Sequence, residues 1–179
     1  MARPDLTGVL LVGGASTRFG SPKALARLDG ELLAERAWRI LGEACSERVA
    51  VGKAADALDL PFPVYDDGIE TRAALAGIVA GLRAAETELS VVVPVDMPRL
   101  PSALLLELAD ACADDAAAPQ SSPLPAAFRK TALLVLERRL TEGDLALHEA
   151  LAELDAARLQ LDAQELANVN TPDDLRRLG

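Results

Sequence analysis

Residues 89–101 read LSVVVPVDMPRLP. Nearly every one of the first seven is apolar and several are β-branched, with no polar alternation. That pattern predicts a strand covered on both faces, at the centre of a layered α/β sheet. The apolar run ends at Asp96, framed by Pro94 and Pro98, and SALLLELADACAD (102–114) follows as a helix. Pro101 stands just ahead of it, a favoured place for proline.

The pattern extends in both directions from this strand. TGVLLV (7–12), RVAVG (48–52) and FPVYD (62–66) read as strands. ELLAERAWRILGEA (31–44) has apolar residues at three and four spacing, and RAALAGIVAGLRAAE (72–86) is helical, with Gly77 and Gly81 on one face for close packing. Beyond them AAAP (116–119) and PAAFR (125–129) read as short strands, TALLVLERRL (131–140) and DLALHEALAEL (144–154) as helices, and LQLD (159–162) as a last strand. Strands alternating with helices predict an α/β fold, a doubly wound and mainly parallel sheet in a single domain over 1–179. Ligands of such sheets bind outside the carboxyl ends of the strands.

Composition narrows the function. The chain has 179 residues, half of them hydrophobic but only 3% aromatic, so Leu, Val and Ala must fill the core. No apolar run approaches the ~20 residues of a membrane span. MARPDLTGVLLVGG carries no signal-peptide pattern, so a cytoplasmic protein away from membranes is expected. Cys45 and Cys112 lack metal-ligand spacing and are expected as buried, reduced thiols. A single histidine, His148 in a helical stretch, argues against histidine-based nucleophilic catalysis. The net charge of −10 argues against long nucleic acids. It leaves room for one small anion, which would need a local pocket of positive potential and a metal ion.

Candidates for that pocket stand at the strand ends. Gly13 and Gly14 follow the first strand, in a loop that is neither a P-loop nor G-x-G-x-x-G. The pair suits a close approach to a ligand and equally a tight turn. Arg18 and Lys23 place two cations on the same loop and read as phosphate ligands. Asp96 at the edge of the buried strand reads as a Mg²⁺ ligand or as a loop cap. Of the adjacent Asp66 and Asp67, at most one is expected to work. Thr171, Pro172 and Asp174 make a capping-box helix start, which leaves Asn168 and Asn170 as turn formers or ligands.

Together LVGGASTRFGSPKAL (11–25), Asp67 with ALAG (74–77), VPVDMP (93–98) and NVNTPDDL (168–175) resemble one family, the MobA-like nucleotidyltransferases that act as molybdenum cofactor guanylyltransferases. PLPAAFRKTALLVLERRL (123–140) resembles the stretch ahead of the family's late helices. The resemblance implies a Rossmann-like nucleotidyltransferase fold and transfer of GMP from Mg-GTP to the terminal phosphate of molybdopterin. Leu11, Val12 and Gly13 would hold guanine and ribose by backbone contacts, with Gly14 beside them. Arg18 and Lys23 would face the triphosphate, Asp67 would recognise the guanine nucleotide, and Asp96 would bind Mg²⁺. Asn168 and Asn170 would lie on the pterin side. GTP and molybdopterin are the implied substrates, with transient contact to molybdenum cofactor enzymes or chaperones.

The chain departs from the family pattern at four places. Phe19 replaces a usual Met, Gly52 stands where Asn is expected, and Ala73-Ala74 replace Gly-Pro. The basic pair usual near EGDLAL (142–147) is absent. A related enzyme using CTP or a sugar phosphate, and a catalytically idle nucleotide-binding paralogue, remain as alternatives.

Overall fold

Leu89–Pro94 is a strand in the interior of a seven-stranded sheet. The computed structural model describes residues 2–13, 19 and 21–178. In chain order its elements are β1 (Arg3–Leu11), β2 (Arg27–Leu28), β3 (Glu31–Leu32), α1 (Leu33–Ala44), β4 (Cys45–Gly52), β5 (Val64–Asp66), α2 (Ala74–Ala84), β6 (Leu89–Pro94), α3 (Ser102–Ala111), β7 (Ala116–Pro119), β8 (Ala126–Arg129), α4 (Leu133–Glu142), α5 (Leu147–Glu153), β9 (Ala157–Leu159) and α6 (Pro172–Arg176).

The sheet runs β5-β4-β1-β6-β8-β7-β9. Four of the six neighbouring pairs are parallel, and β8 runs antiparallel to both β6 and β7. The expected mainly parallel, doubly wound sheet is present. The antiparallel exception follows from connectivity, because β7 and β8 are joined by a short loop with no crossover helix.

Alternation along the central strands feeds two cores. Leu6 and Leu10 of β1 and Val91 and Val93 of β6 pack with Leu33 and Leu41 of α1 and Leu104 and Leu108 of α3. Val9 and Leu11 of β1 and Val92 of β6 pack with Leu75, Ile78 and Leu82 of α2, Leu136 of α4 and Leu151 of α5. An isolated run such as β6, apolar on both sides, is stable only when both faces are covered. No described helix is long and apolar enough to cross a membrane.

Glycines set the layer spacing. A Cβ at Gly81 would lie 2.3 Å from Val9 Cγ1, and one at Gly77 would lie 2.9 Å from Leu11 Cδ2. The face that Gly77 and Gly81 were expected to share is therefore the one by which α2 lies on β1.

Several boundaries differ from the sequence reading. Glu31 and Leu32 are not helical; they pair with Arg27–Leu28 around a turn in which Asp29 and Gly30 both have positive φ. That is the Asp-Gly hairpin signal, too short to show as a strand period. The last strand is Ala157–Leu159, paired with β7, and LQLD lies mostly beyond it. β1 and β4 begin earlier than expected, since parallel pairing of Arg3 with Cys45 holds their polar starts in the sheet.

Candidate active site

β1 lies between β4 and β6, and the chain leaves it toward one neighbour through α1 and reaches the other through α2. The carboxyl end of β1 is thus the switch point where open α/β sheets bind ligands. The loops there continue the sheet's hydrogen bonding past the strands. Val12 N–H donates to Val51 O (2.9 Å), Val95 N–H to Leu11 O (3.1 Å) and Asp67 N–H to Gly52 O (3.1 Å).

These ties frame a cavity of about 340 Å³ lined by Leu11, Val12, Gly13, Lys23, Asp67 and Asp96 among others. Six of the sequence-predicted residues are therefore brought together. Gly14 and Arg18 lie outside the described residues. Gly13 admits the opposite backbone, since a Cβ there would sit 3.3 Å from Gly52 Cα. The Leu11 carbonyl and the Val12 N–H already serve the sheet. The main chain of Gly13 is then the best placed of the three to meet a ligand.

Lys23 joins three segments that are far apart in sequence. Its ammonium donates to Asp96 Oδ2 at 3.0 Å and to Asn170 Oδ1 at 3.0 Å. The Val169 N–H donates to the Asp96 carbonyl at 2.8 Å, fixing the Asn-Val-Asn segment to the end of β6. Val169 is fully buried, and both flanking asparagines face outward. Asn170 reaches Lys23, while Asn168 is exposed and forms no hydrogen bond within the described residues. Thr171 and Asp174 cap α6 reciprocally as predicted. Asp174 also accepts from the Asn170 N–H at 3.0 Å, the chief reason its carboxyl is held below the usual carboxylate range.

The two adjacent acids divide their roles. Asp66 accepts from the N–H groups of Ala54 and Gly68, which depress its titration and make it a loop-building residue. Asp67 turns inward, where Lys53 donates to its Oδ1 at 2.7 Å; the two side chains are 6% and 9% exposed. Lys53, Arg72 and Leu124 also line the cavity and were missed in the sequence. Lys53 follows directly on a strand-end glycine, which is the one signal that could have found it.

Among the described residues each cationic side chain of the cavity lining lies against a carboxylate. Lys23 is matched by Asp96, Lys53 by Asp67 and Arg72 by Asp56. Loop 142–147, where a basic pair was missing, carries Asp144, which pairs with buried Arg139 at 2.6 Å. Arg139 also binds Glu149 and Glu153, so it anchors α4 to α5. His148 is largely exposed on α5 and does not line the cavity. Cys45 and Cys112 are buried and unpaired with each other, and burial pushes their thiols up to about 12 and about 11.

A crevice at the switch point, closed by a backbone-to-backbone approach and holding lysines against strand-end aspartates, defines a ligand-binding protein of the open α/β-sheet class. Comparison with known proteins sharpens this. Residues 8–159 match the family model for the MobA-like NTP transferase domain, and the chain belongs to that family. It is 36% identical to a probable molybdenum cofactor guanylyltransferase of Chloroflexus aggregans, over 96% of this chain and 92% of that protein. It is 31% identical to the Bacillus subtilis protein of the same name, over 93% and 90%. Its fold is similar to that of molybdopterin-guanine dinucleotide biosynthesis protein A from Archaeoglobus fulgidus, with a TM-score of 0.82, 27% identity and 96% of each chain covered.

Proposed function

We propose that this chain, as one nucleotidyltransferase domain, transfers GMP from GTP to the terminal phosphate of molybdopterin, giving molybdopterin guanine dinucleotide and pyrophosphate. The observation that carries the reading is the Lys23 ammonium, bonded at once to Asp96, which we assign to the donor phosphates, and to Asn170, which we assign to the acceptor side. The near full-length similarity to proteins named molybdenum cofactor guanylyltransferase supports the choice of donor and acceptor.

The residues suit an in-line displacement without a general base. A phosphate monoester with a second pKa of ~6 is largely dianionic at neutral pH. It attacks the α-phosphorus directly, and pyrophosphate leaves. The remote, exposed His148 is not needed. Catalysis is positioning and stabilisation of charge, the mode general to phosphoryl transfer. Lys23, with Arg18 from the same loop, meets the phosphates; Leu11, Val12, Gly13 and Gly14 shape the nucleoside end; Asp67 meets the base; Asn168 and Asn170 face the pterin.

Among the described residues no cluster of three metal-ligating side chains exists. Asp96 lines the cavity and offers one carboxylate, which fits Mg²⁺, an ion usually held by one or two carboxylates together with substrate phosphates. When bound, Mg²⁺ would neutralise phosphate charge that the paired lysines cannot offset alone. The same reading makes the chain a cytoplasmic protein whose product passes to molybdenum cofactor enzymes or their chaperones.

A thermal-shift panel of GTP, CTP, ATP and UTP with Mg²⁺ tests the donor. Ligand at ~100 times its Kd stabilises by about 2.7 kcal/mol, or roughly 5–10 °C for a domain of this size. The expected result is a Mg²⁺-dependent shift with GTP alone, followed by pyrophosphate release once molybdopterin is added. A shift with CTP instead, or GTP binding without turnover, would overturn the assignment.

A further inference from the structure

Lys53 has no part in the reaction described above, yet it is among the most buried cations at the site. It follows Gly52 at the end of β4, and its ammonium donates to Asp67 Oδ1 at 2.7 Å, to the Thr71 carbonyl at 2.9 Å and to the Ile69 carbonyl. An ammonium has three protons to donate, so all three are engaged by the protein and none is left for a phosphate. Asp67 Oδ1 also accepts from the Ile69 N–H at 3.2 Å. Among the described residues nothing donates to Oδ2. One lysine thus pins both Asp67 and the 69–71 main chain, the segment that leads into Arg72, Ala73 and Ala74, which line this side of the cavity.

Position 52 explains why the task falls to the next residue. A Cβ at Gly52 would lie 2.9 Å from Val12 Cγ2 and 3.2 Å from Val64 Cγ1. A side chain there would have to displace both valines, so glycine suits this strand end. Lys53, one residue past the end of β4, reaches Asp67 and the 69–71 main chain instead.

We propose that Lys53 is the positioning residue of the donor-base subsite: it holds Asp67 so that Oδ2 is presented to an N–H of the nucleobase, and it takes no phosphate itself. The inference rests on the guanylyltransferase reading, in which Asp67 meets guanine.

The test measures Kd for GTP and, by competition, for GMP in the wild type, Lys53→Met, Asp67→Asn and the double variant. Lys53→Met is expected to weaken GTP and GMP by the same factor, about tenfold or more, as for loss of a charge-assisted hydrogen-bonded arrangement. Because Lys53 acts through Asp67, the double variant should bind no worse than Asp67→Asn alone. A loss that is larger for GTP than for GMP would make Lys53 a phosphate ligand and overturn the proposal. Unchanged Kd values, or losses that multiply in the double variant, would overturn it equally. Removing one partner of a buried ion pair can unfold a protein. If Lys53→Met does not fold, the double variant, with its neutral pair, is compared with Asp67→Asn for the same answer. A wild type that binds no GTP sinks the guanylyltransferase reading itself, whereas one that binds GTP but ignores Lys53 sinks only this inference.

Discussion

Gly81→Ala and Gly77→Ala are the same chemical change, one turn apart on the same helix face, and the structure separates their effects. Each gains about 1 kcal/mol of helix propensity over glycine. At position 81 the new Cβ would lie 2.3 Å from Val9 Cγ1, 3.1 Å from Cγ2 and 3.3 Å from Cβ. The whole branch of a fully buried valine in the central strand stands in the way. A β-branched side chain has little rotameric freedom with which to yield. Overpacking costs about 1–3 kcal/mol, and a contact this short with a whole valine branch belongs in the upper part of that range, about 2–3 kcal/mol, so Gly81→Ala should destabilise by roughly 1–2 kcal/mol net and lower Tm by roughly 2–8 °C. At position 77 the nearest atom is the end of the Leu11 side chain, at 2.9 Å, with the next contact at 3.9 Å. A leucine methyl can rotate aside, so Tm should stay within about 2 °C. Leu11 lines the cavity, however, and its displacement should weaken GTP binding.

The decisive assay is a double-mutant cycle by urea unfolding of Gly81→Ala with Val9→Ala. Removing both valine methyls makes room for the new one, so the double variant should recover about 1 kcal/mol or more relative to the sum of the singles. Additivity within about 0.5 kcal/mol would refute the reasoning, because Val9 would then not be what excludes a side chain from position 81.

Further substitutions address the site and the termini. Lys23→Ala should lower turnover by roughly 10²–10³, the usual effect of losing one preorganised donor; near-wild-type turnover would remove Lys23 from the reaction. Asp96→Ala should abolish metal-dependent turnover while circular dichroism and Tm stay close to wild type, and unfolding would instead make Asp96 a structural cap. Asp174 is held below its ordinary value of 3.8 by the Asn170 N–H and then by Thr171, so its stabilisation is complete above that value and is lost as pH falls through the lower folded one. Asp174→Asn should accordingly be less stable than wild type near neutrality, with the two urea midpoints converging as pH falls well below that ordinary value; a gap that persists in acid would exclude the charge as its source. With thiols pushed up to about 12 and about 11 by burial, neither Cys45 nor Cys112 should react with a disulfide reagent at mildly alkaline pH until the chain is unfolded.

What could be read from the sequence was what short windows encode. An unbroken apolar run marks β6, three-and-four spacing marks α1, and two glycines four apart mark the face of α2 that meets β1. Thr171 and Asp174 announce their own cap. The same windows hide whatever depends on which strands become neighbours. In GKAAD, Lys53 looks like any solvated lysine, and only the β4–β5 pairing brings Asp67 to it from 14 residues away. Arg139 likewise sits in an ordinary charged helix until α5 and the loop ahead of it fold three carboxylates around it. A two-residue hairpin and a three-residue edge strand carry too few positions to show a period.

The same distinction bears on how firmly the site is built. Its residues lie in loops, but the loops are not independent of the sheet. Val12, Asp67 and Val95 each continue a strand-to-strand hydrogen bond beyond the last ladder residue, and Val169 is tied to Asp96 in the same manner. Backbone bonds of this kind do not depend on side-chain identity, so truncating Asp96 removes a functional group without releasing the loop that carries it. The ammonium groups of Lys23 and Lys53 reach, among the described residues, partners as far as 147 and 18 residues away. Preorganisation at the strand ends is therefore supplied by the fold, and the adjustable part of the site is the two lysines, where single substitutions should separate binding from stability.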